Sequence, residues 1–434
     1  MLVHLSDSRH GEPERHGRHR YGLGVQNRRS GKVEIRTQAA VHEWLDAPTA
    51  AVFLRLDLTE AELDAKLCAA ELINCSFLGC QLGPLTSAAL PRCGAFRIDA
   101  LRGLPFDPFR TALYSPGELY DRFNPENPLS YEACFDRLVY RSVSDPQTHI
   151  PYVIDVDVAL MRRLHDAAIG EALATVLPLE RRKRCVAIMG GHDEPRTSAT
   201  YRSIAELTRD LTREGFIIAT GGGPGVMEAA NMGAYLAGFA PTPTEGKTGH
   251  QTEHQTDHDR LNAVLKVLAV APDYRHEHWL RAGFEAWKAL GTPDQPELSE
   301  SFGIPTWFYG HEPPNVFASN IAKYFENSLR EEGLLAVALA GVIFAPGNAG
   351  TVQEIFQDAC QNYYRTYDNT RSPMILFGTD YWNGNPSTLK AKPVEKLLRT
   401  LAMEKDFAQL VHSTNDPADI KAILVANQTQ TVQA

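Results

Sequence analysis

Residues 216–228 read FIIATGGGPGVME and residues 342–354 read VIFAPGNAGTVQE. Each is an apolar run of strand length, then a glycine-rich bend, then the start of a helical pattern. In the first, Gly221, Gly222, Gly223 and Gly225 let backbone amides turn toward a ligand at close range, and Pro224 suits the first turn of a helix. In the second, Gly347, Asn348, Ala349, Gly350 and Thr351 stand in the corresponding place. Amides at a helix amino terminus, backed by the helix dipole, bind anions. Two such bends on one sheet edge predict one small phosphorylated ligand held between them. Neither is the dinucleotide fingerprint, because counting from Gly221 its third glycine falls on Val226. Taken singly, each bend also fits a β-to-α turn with no ligand. Gly190 and Gly191, directly after the apolar run 185–189, lie on the same edge and line the same pocket in this reading.

Outward from these bends, apolar runs at 185–189, 216–220, 304–309, 341–345 and 373–377 read as strands. They alternate with helical patterns near 198–213, 224–237, 260–290, 316–340, 350–364 and 417–427. Near-continuous Val, Ile and Phe in such strands predicts an α/β fold, a doubly wound, Rossmann-like parallel sheet covered on both faces, with ligands at the carboxyl ends of the strands. This part spans 183–430. Ahead of it, 151–182 reads as a helical connector ending in the run Arg181-Arg182-Lys183-Arg184, and 31–150 as an α+β amino-terminal domain broken by proline clusters. Residues 1–30, rich in Gly, Arg and His without hydrophobic periodicity, read as a mobile basic arm. The stretch 241–260, PTPTEGKTGHQTEHQTDHDR, reads as a polar surface insertion. Its His250, His254 and His258 are four apart, a spacing open to a metal reading, but the Thr, Gly and Gln around them favour a loop. Gly246-Lys247-Thr248 is no phosphate loop, since Pro241 occupies the first glycine position and no strand precedes it.

With 434 residues, about three domains of ~150 residues are expected, or equally two for an α/β enzyme. The excess of 53 Asp and Glu over 43 Lys and Arg, a formal charge of −10, argues against a nucleic-acid partner. The longest apolar stretch, 334–345, is too short to cross a ~30 Å hydrocarbon layer, and the first thirty residues hold no apolar signal core. A cytoplasmic protein with no membrane contact is expected. The seven cysteines are odd in number and scattered, as free thiols in a reducing compartment would be, and Cys75 and Cys80 lack a second ligand pair for zinc. No metal is expected.

Thr351 followed three residues later by Glu354 fits a capping box, in which the carboxylate only satisfies a backbone N–H. The same carboxylate, beside a phosphate loop, also lies within reach of the sugar that carries the phosphate. Both readings stand on spacing alone.

The pair GGGPGVME at 221–228 and PGNAGTVQE at 346–354 resembles the signature of the LOG family, once labelled lysine decarboxylases. The resemblance covers roughly 183–380. It implies a phosphoribohydrolase that cuts the N-glycosidic bond of nucleoside 5′-monophosphates to free base and ribose 5-phosphate. Glu312-Pro313-Pro314-Asn315 and the extra amino-terminal domain resemble the long bacterial branch, the pyrimidine/purine nucleotide 5′-monophosphate nucleosidases. The sequence departs from the family at Asn348, where glycine is usual and where Asn tolerates a left-handed turn. It departs also at Glu331, which holds the place of a functional arginine, so that role passes to Arg330. The resemblance then implies Glu354 as the anion beside the ribose cation, Arg330 as its companion at the nucleotide, and a homodimer or larger homo-oligomer. No cofactor is called for: a pyridoxal-phosphate decarboxylase needs a Schiff-base lysine, and none lies beside either bend. A nucleotide sensor using the same pocket without hydrolysis is the alternative, and an interaction scaffold a third reading.

Overall fold

The computed structural model describes residues 32–145, 147–240, 250–308 and 312–433, with the side chains of 250–257 and 430–433 left aside. The expected basic arm, residues 241–249 with Gly246-Lys247-Thr248, and the side chains of His250 and His254 lie outside the described residues.

The amino-terminal unit holds strands β1 (Val33–Ile35), β2 (Ala51–Leu54), β3 (Asp57–Leu58), β4 (Ser76–Leu78), β5 (Gln81–Leu82) and β6 (Phe96–Ile98). Helices Gln38–Asp46, Ala61–Ala69 and Pro84–Cys93 alternate with them. Strands β1-β2-β4-β6 form one sheet and β3-β5 a second, all parallel. The unit repeats a strand–short strand–helix motif: Phe53 pairs with Phe77 and Asp57 with Gln81 at the same interval. The Phe53 and Phe77 rings stack 4.6 Å apart in a core shared with Val41, Trp44 and Leu67.

A second, larger core runs from Phe106 to Leu424. Packing therefore divides the chain near residue 100, and 106–143 belongs with the larger core. Buried polar groups tie it there. Asp136 accepts from Lys323 Nζ at 2.5 Å, Trp307 Nε1 at 2.9 Å and Tyr131 Oη at 2.9 Å. On the connector helix Val156–Val176, Asp166 accepts from the backbone N–H groups of Phe325 and Glu326, and His165 meets Tyr114 Oη at 2.8 Å. Buried donors and acceptors that lost these partners would cost about 1–3 kcal/mol each.

The larger unit is the expected doubly wound, Rossmann-like α/β fold. Strands β7 (Cys185–Met189), β8 (Ile217–Thr220), β9 (Ser301–Gly303), β10 (Asn320–Ile321), β11 (Gly341–Phe344), β12 (Met374–Phe377) and β13 (Val411–Thr414) run parallel in the order β10-β9-β8-β7-β11-β12-β13. Every residue of β7, β11 and β12 is buried, as helices on both faces require. The order reverses at β7, which has β8 on one side and β11 on the other, so the crevice at its carboxyl end is the switch point where such sheets bind ligands.

Four expectations are corrected. The strand read at 304–309 is β9, ending at Gly303, because Pro305 has no N–H to continue the ladder. The helix read at 260–290 is two, His250–Leu268 and Trp279–Leu290, parted at Pro272. The first of these takes up 250–260, so that half of the polar insertion is helix rather than loop, with His258 bonded to Asn262 four residues on. The helix read at 316–340 is Asn327–Val337 preceded by β10, because Asn315 Oδ1 takes the N–H groups of Phe317 and Ala318 in a turn of its own. Strand β13 and the helix Glu395–Met403 are additional elements. No helix among the described residues is long and apolar enough to cross a membrane.

Candidate functional site

Strand β8 ends in the first glycine bend and feeds the helix Val226–Ala237; β11 ends in the second and feeds Ala349–Tyr364. Because β8 and β11 flank β7, the turn after β7 lies between them, and it bridges both. Gly191 donates its N–H to Pro346 O at 2.9 Å and accepts from Val226 N at 3.1 Å. The two bends are thus joined through one residue. Gly225 explains why that contact needs glycine: its φ is +66°, and a Cβ there would stand 2.4 Å from Gly191 O. This conformation also delays the helix to Val226, two residues past Pro224.

The amides divide by role. Gly222 N–H is spent on Thr220 Oγ1 at 2.9 Å and Gly191 N–H on the bridge, so these two shape the crevice. Among the described residues the N–H groups of Gly221, Gly223, Asn348, Ala349, Gly350 and Thr351 make no hydrogen bond. Asn348, Ala349 and Gly350 are exposed, and a Cβ at Gly350 would meet nothing within 4 Å. Three exposed orphan donors at one helix start, with that of buried Thr351 behind them and two from the neighbouring bend, are the kind of array that can hold an anion. Asn348 takes φ −93°, ψ −152°, so the turn does not use the left-handed region that seemed to favour Asn here. Its amide instead reaches toward Asp193 Oδ2, 3.5 Å away.

The capping box does not form. The helix starts at Ala349 with Asn348 as its cap, which puts Thr351 inside the first turn and Glu354 in the second. Glu354 Oε1 accepts from Arg330 Nη1 at 3.1 Å, with both side chains close to nine-tenths buried. Burial pushes the Glu354 carboxyl up to about 7; the Arg330 guanidinium opposes this, while the negative charges of Glu331 and Glu312 add to it. Arg330 Nη1 also lies 3.8 Å from where a Cβ on Gly221 would stand, so the pair sits against the first bend, with Glu354 on the helix of the second and Arg330 on the helix Asn327–Val337. Among the described residues Arg330 Nε is buried without a hydrogen-bond partner. Glu331 faces elsewhere: Asn327 Nδ2 and Gln353 Nε2 donate to its carboxylate at 2.7 and 2.6 Å. It cross-ties the two helices, and Arg330 is the residue that meets Glu354.

Several site residues were given no role in the sequence reading, although Glu312 and Asn315 stand in its run 312–315 and Glu228 in its run 221–228. Asn315, fully buried, donates from its backbone N–H to Gly222 O and from Nδ2 to Gly223 O and Asn231 Oδ1. Asn231 also accepts from Thr220 Oγ1 and donates to Ser301 Oγ. This network props the triple glycine from below. Its visible signals are Asn315 in the run Glu312-Pro313-Pro314-Asn315 and Asn231, a lone amide in the small apolar helix VMEAANMGAYLA. Glu228, one turn into that helix, holds Arg196 bidentately at 2.6 and 2.8 Å, both fully buried, and anchors the helix start. His192 and Glu312 meet at the crevice mouth, Nδ1 to Oε1 at 3.1 Å.

Comparison with known proteins bears on the first half of this site. The family model described as the SLOG cluster4 family matches residues 183–251. That stretch carries β7, β8, the first glycine bend and the helix after it, and relates them to the SLOG superfamily, which includes LOG-like proteins and implies a nucleotide-related function in the broad sense. The match ends before Arg330 and Glu354. No curated protein matches the chain.

Proposed function

We propose that this chain hydrolyses the N-glycosidic bond of nucleoside 5′-monophosphates, releasing free base and ribose 5-phosphate. The observation that carries the reading is the joining of two amide-rich bends through Gly191 with the Arg330–Glu354 pair set against them. The 5′-phosphate binds the orphan amides of 348–351 with those of Gly221 and Gly223, which supplies binding energy remote from the reacting carbon. The ribose then lies over Glu354. Departure of the base leaves positive charge on the sugar ring, and a carboxylate in a dry site stabilises that charge far more than one in water. Glu354, poised near neutrality, also takes the proton of the attacking water. Arg330 keeps Glu354 ionised and offers its remaining donor to the nucleotide.

The reading carries a homo-oligomer in the cytoplasm, the first checked by light scattering on the purified chain. The test of activity is incubation with AMP, GMP, CMP and UMP, followed by separation of base and ribose 5-phosphate. Release of both from at least one nucleotide supports the proposal. A non-hydrolysing nucleotide sensor using the same pocket is the second reading, and the broadly nucleotide-related function implied by the match at 183–251 fits it equally. Saturable binding with no released base selects it, and absence of both binding and release overturns both.

A further inference from the structure

In the scheme above the departing base has no proton donor, since Arg330 and Glu354 are bound to one another. A second titratable pair stands at the same crevice. His192 directly follows Gly191, the residue that bridges the two bends, and its backbone closes over Gly225: a Cβ at Gly225 would stand 2.8 Å from His192 C and O. Its Nδ1 lies 3.1 Å from Glu312 Oε1. The other oxygen of Glu312 reaches to 3.7 Å from where a Cβ on Gly223 would stand, so this carboxylate borders the first bend. The same carboxylate is close enough to Glu354 to act on its charge. The His192 ring packs edge-on against Tyr274, centroids 5.3 Å apart at 86°, and the Arg275 guanidinium lies 4.4 Å from the Tyr274 ring centre. The His192 side chain is 32% exposed and that of Glu312 18%, which is open enough to meet a ligand and sheltered enough to be oriented.

A carboxylate on one imidazole nitrogen fixes the tautomer and turns the other nitrogen outward as a proton carrier. Resting on the nucleosidase reading, we propose that His192 is the acid that protonates the leaving base, with Glu312 as its positioning residue and Tyr274 as the wall that limits the ring's rotation. In this step the C1′–N bond breaks and its electron pair moves onto the base. The proton on His192 Nε2 passes to a base ring nitrogen, N7 in a purine. Water bonds to C1′, its proton passes to the Glu354 carboxylate, and solvent returns a proton from Glu354 to His192.

The test compares AMP with 4-nitrophenyl β-D-ribofuranoside 5-phosphate, whose nitrophenolate departs without a proton. In His192→Gln, kcat for AMP falls ~10²-fold or more, the usual worth of a positioned general acid, while kcat for the nitrophenyl substrate stays near wild type. Glu312→Gln shows the same selectivity at smaller amplitude, with KM for AMP unchanged. Equal loss on both substrates, or no loss on AMP, overturns the assignment of His192 alone. AMP is replaced by whichever nucleotide wild type cleaves; wild-type protein that cleaves none of AMP, GMP, CMP and UMP overturns the nucleosidase reading, and this proposal with it.

Discussion

Arg330→Met removes a guanidinium whose Nη1 is 3.1 Å from Glu354 Oε1 and leaves an apolar side chain of similar reach. Burial alone drives the Glu354 carboxyl upward, and the nearby cation is the main force holding it down at about 7. Two unit charges ~4 Å apart in an effective dielectric near 20 interact by about 4 kcal/mol, which bounds the effect from above. Opposite charges at this range move a carboxyl by about 1–3 pH units, or about 1.4–4 kcal/mol. Without Arg330 the carboxyl therefore titrates between about 8 and 10. At pH 7 most of the protein then carries a neutral Glu354, which neither stabilises a sugar cation nor accepts a proton. Because the wild-type carboxyl is itself about half ionised at pH 7, the turnover number there falls ~5–500-fold through ionisation alone. The assay is the pH profile of kcat on the nucleotide that wild type cleaves. The acidic limb, near pH 7 in wild type, moves upward in the variant, and activity recovers in part on the alkaline side. A limb that stays at the same pH above a lowered plateau would refute the argument and show that Arg330 acts on something other than Glu354.

Gly225→Ala meets both a positive φ and a carbonyl 2.4 Å away, so it lowers stability by at least ~1–3 kcal/mol, read as a fall in Tm, and separates the bends. Gly350→Ala puts its methyl in open space, leaving Tm within a degree or two while weakening AMP binding in calorimetry, because the proposed function puts the phosphate in that space. Asp358 is raised to about 8 by burial, with Oδ2 lacking a partner among the described residues. A carboxyl whose folded pKa exceeds its unfolded one binds more protons folded than unfolded, so it weakens the fold progressively as pH rises from about 4 to about 8. Asp358→Asn removes that slope and gains a few kcal/mol at pH 8 and nothing at pH 4, seen in melts across the range; equal gains at both values would contradict the burial argument.

The fold was legible because its signals are local. A buried strand, a glycine bend and a helix start are decided within about a dozen residues, and both copies stand where they were read. Single prolines misled the reading where they were passed over: Pro305 ends β9 early and Pro272 breaks a helix that periodicity alone runs through. The open edge of the sheet was missed because β13 reads VHST, without the apolar run that marked the buried strands. At the site, Glu354 and Arg330 were found, yet the spacing Thr351 to Glu354 fitted a cap equally well, and only the true helix start at Ala349 separates the two. The linkage of the props was invisible for a different reason. Asn231 and Asn315 are 84 residues apart and His192 and Glu312 farther still, so no spacing rule joins them, and a buried amide announces nothing until the carbonyls it must satisfy are in view. Gly191 was read as pocket lining, whereas its backbone N–H and C=O are the tie between the bends.

The central claim is that one dry carboxylate acts on the sugar of a nucleotide whose phosphate is held by amides alone. Glu354→Gln tests it most directly, with AMP affinity by calorimetry and single-turnover cleavage measured on the same preparation. Retained affinity with cleavage slowed ~10²-fold or more is the predicted result. Cleavage at the wild-type rate would contradict it.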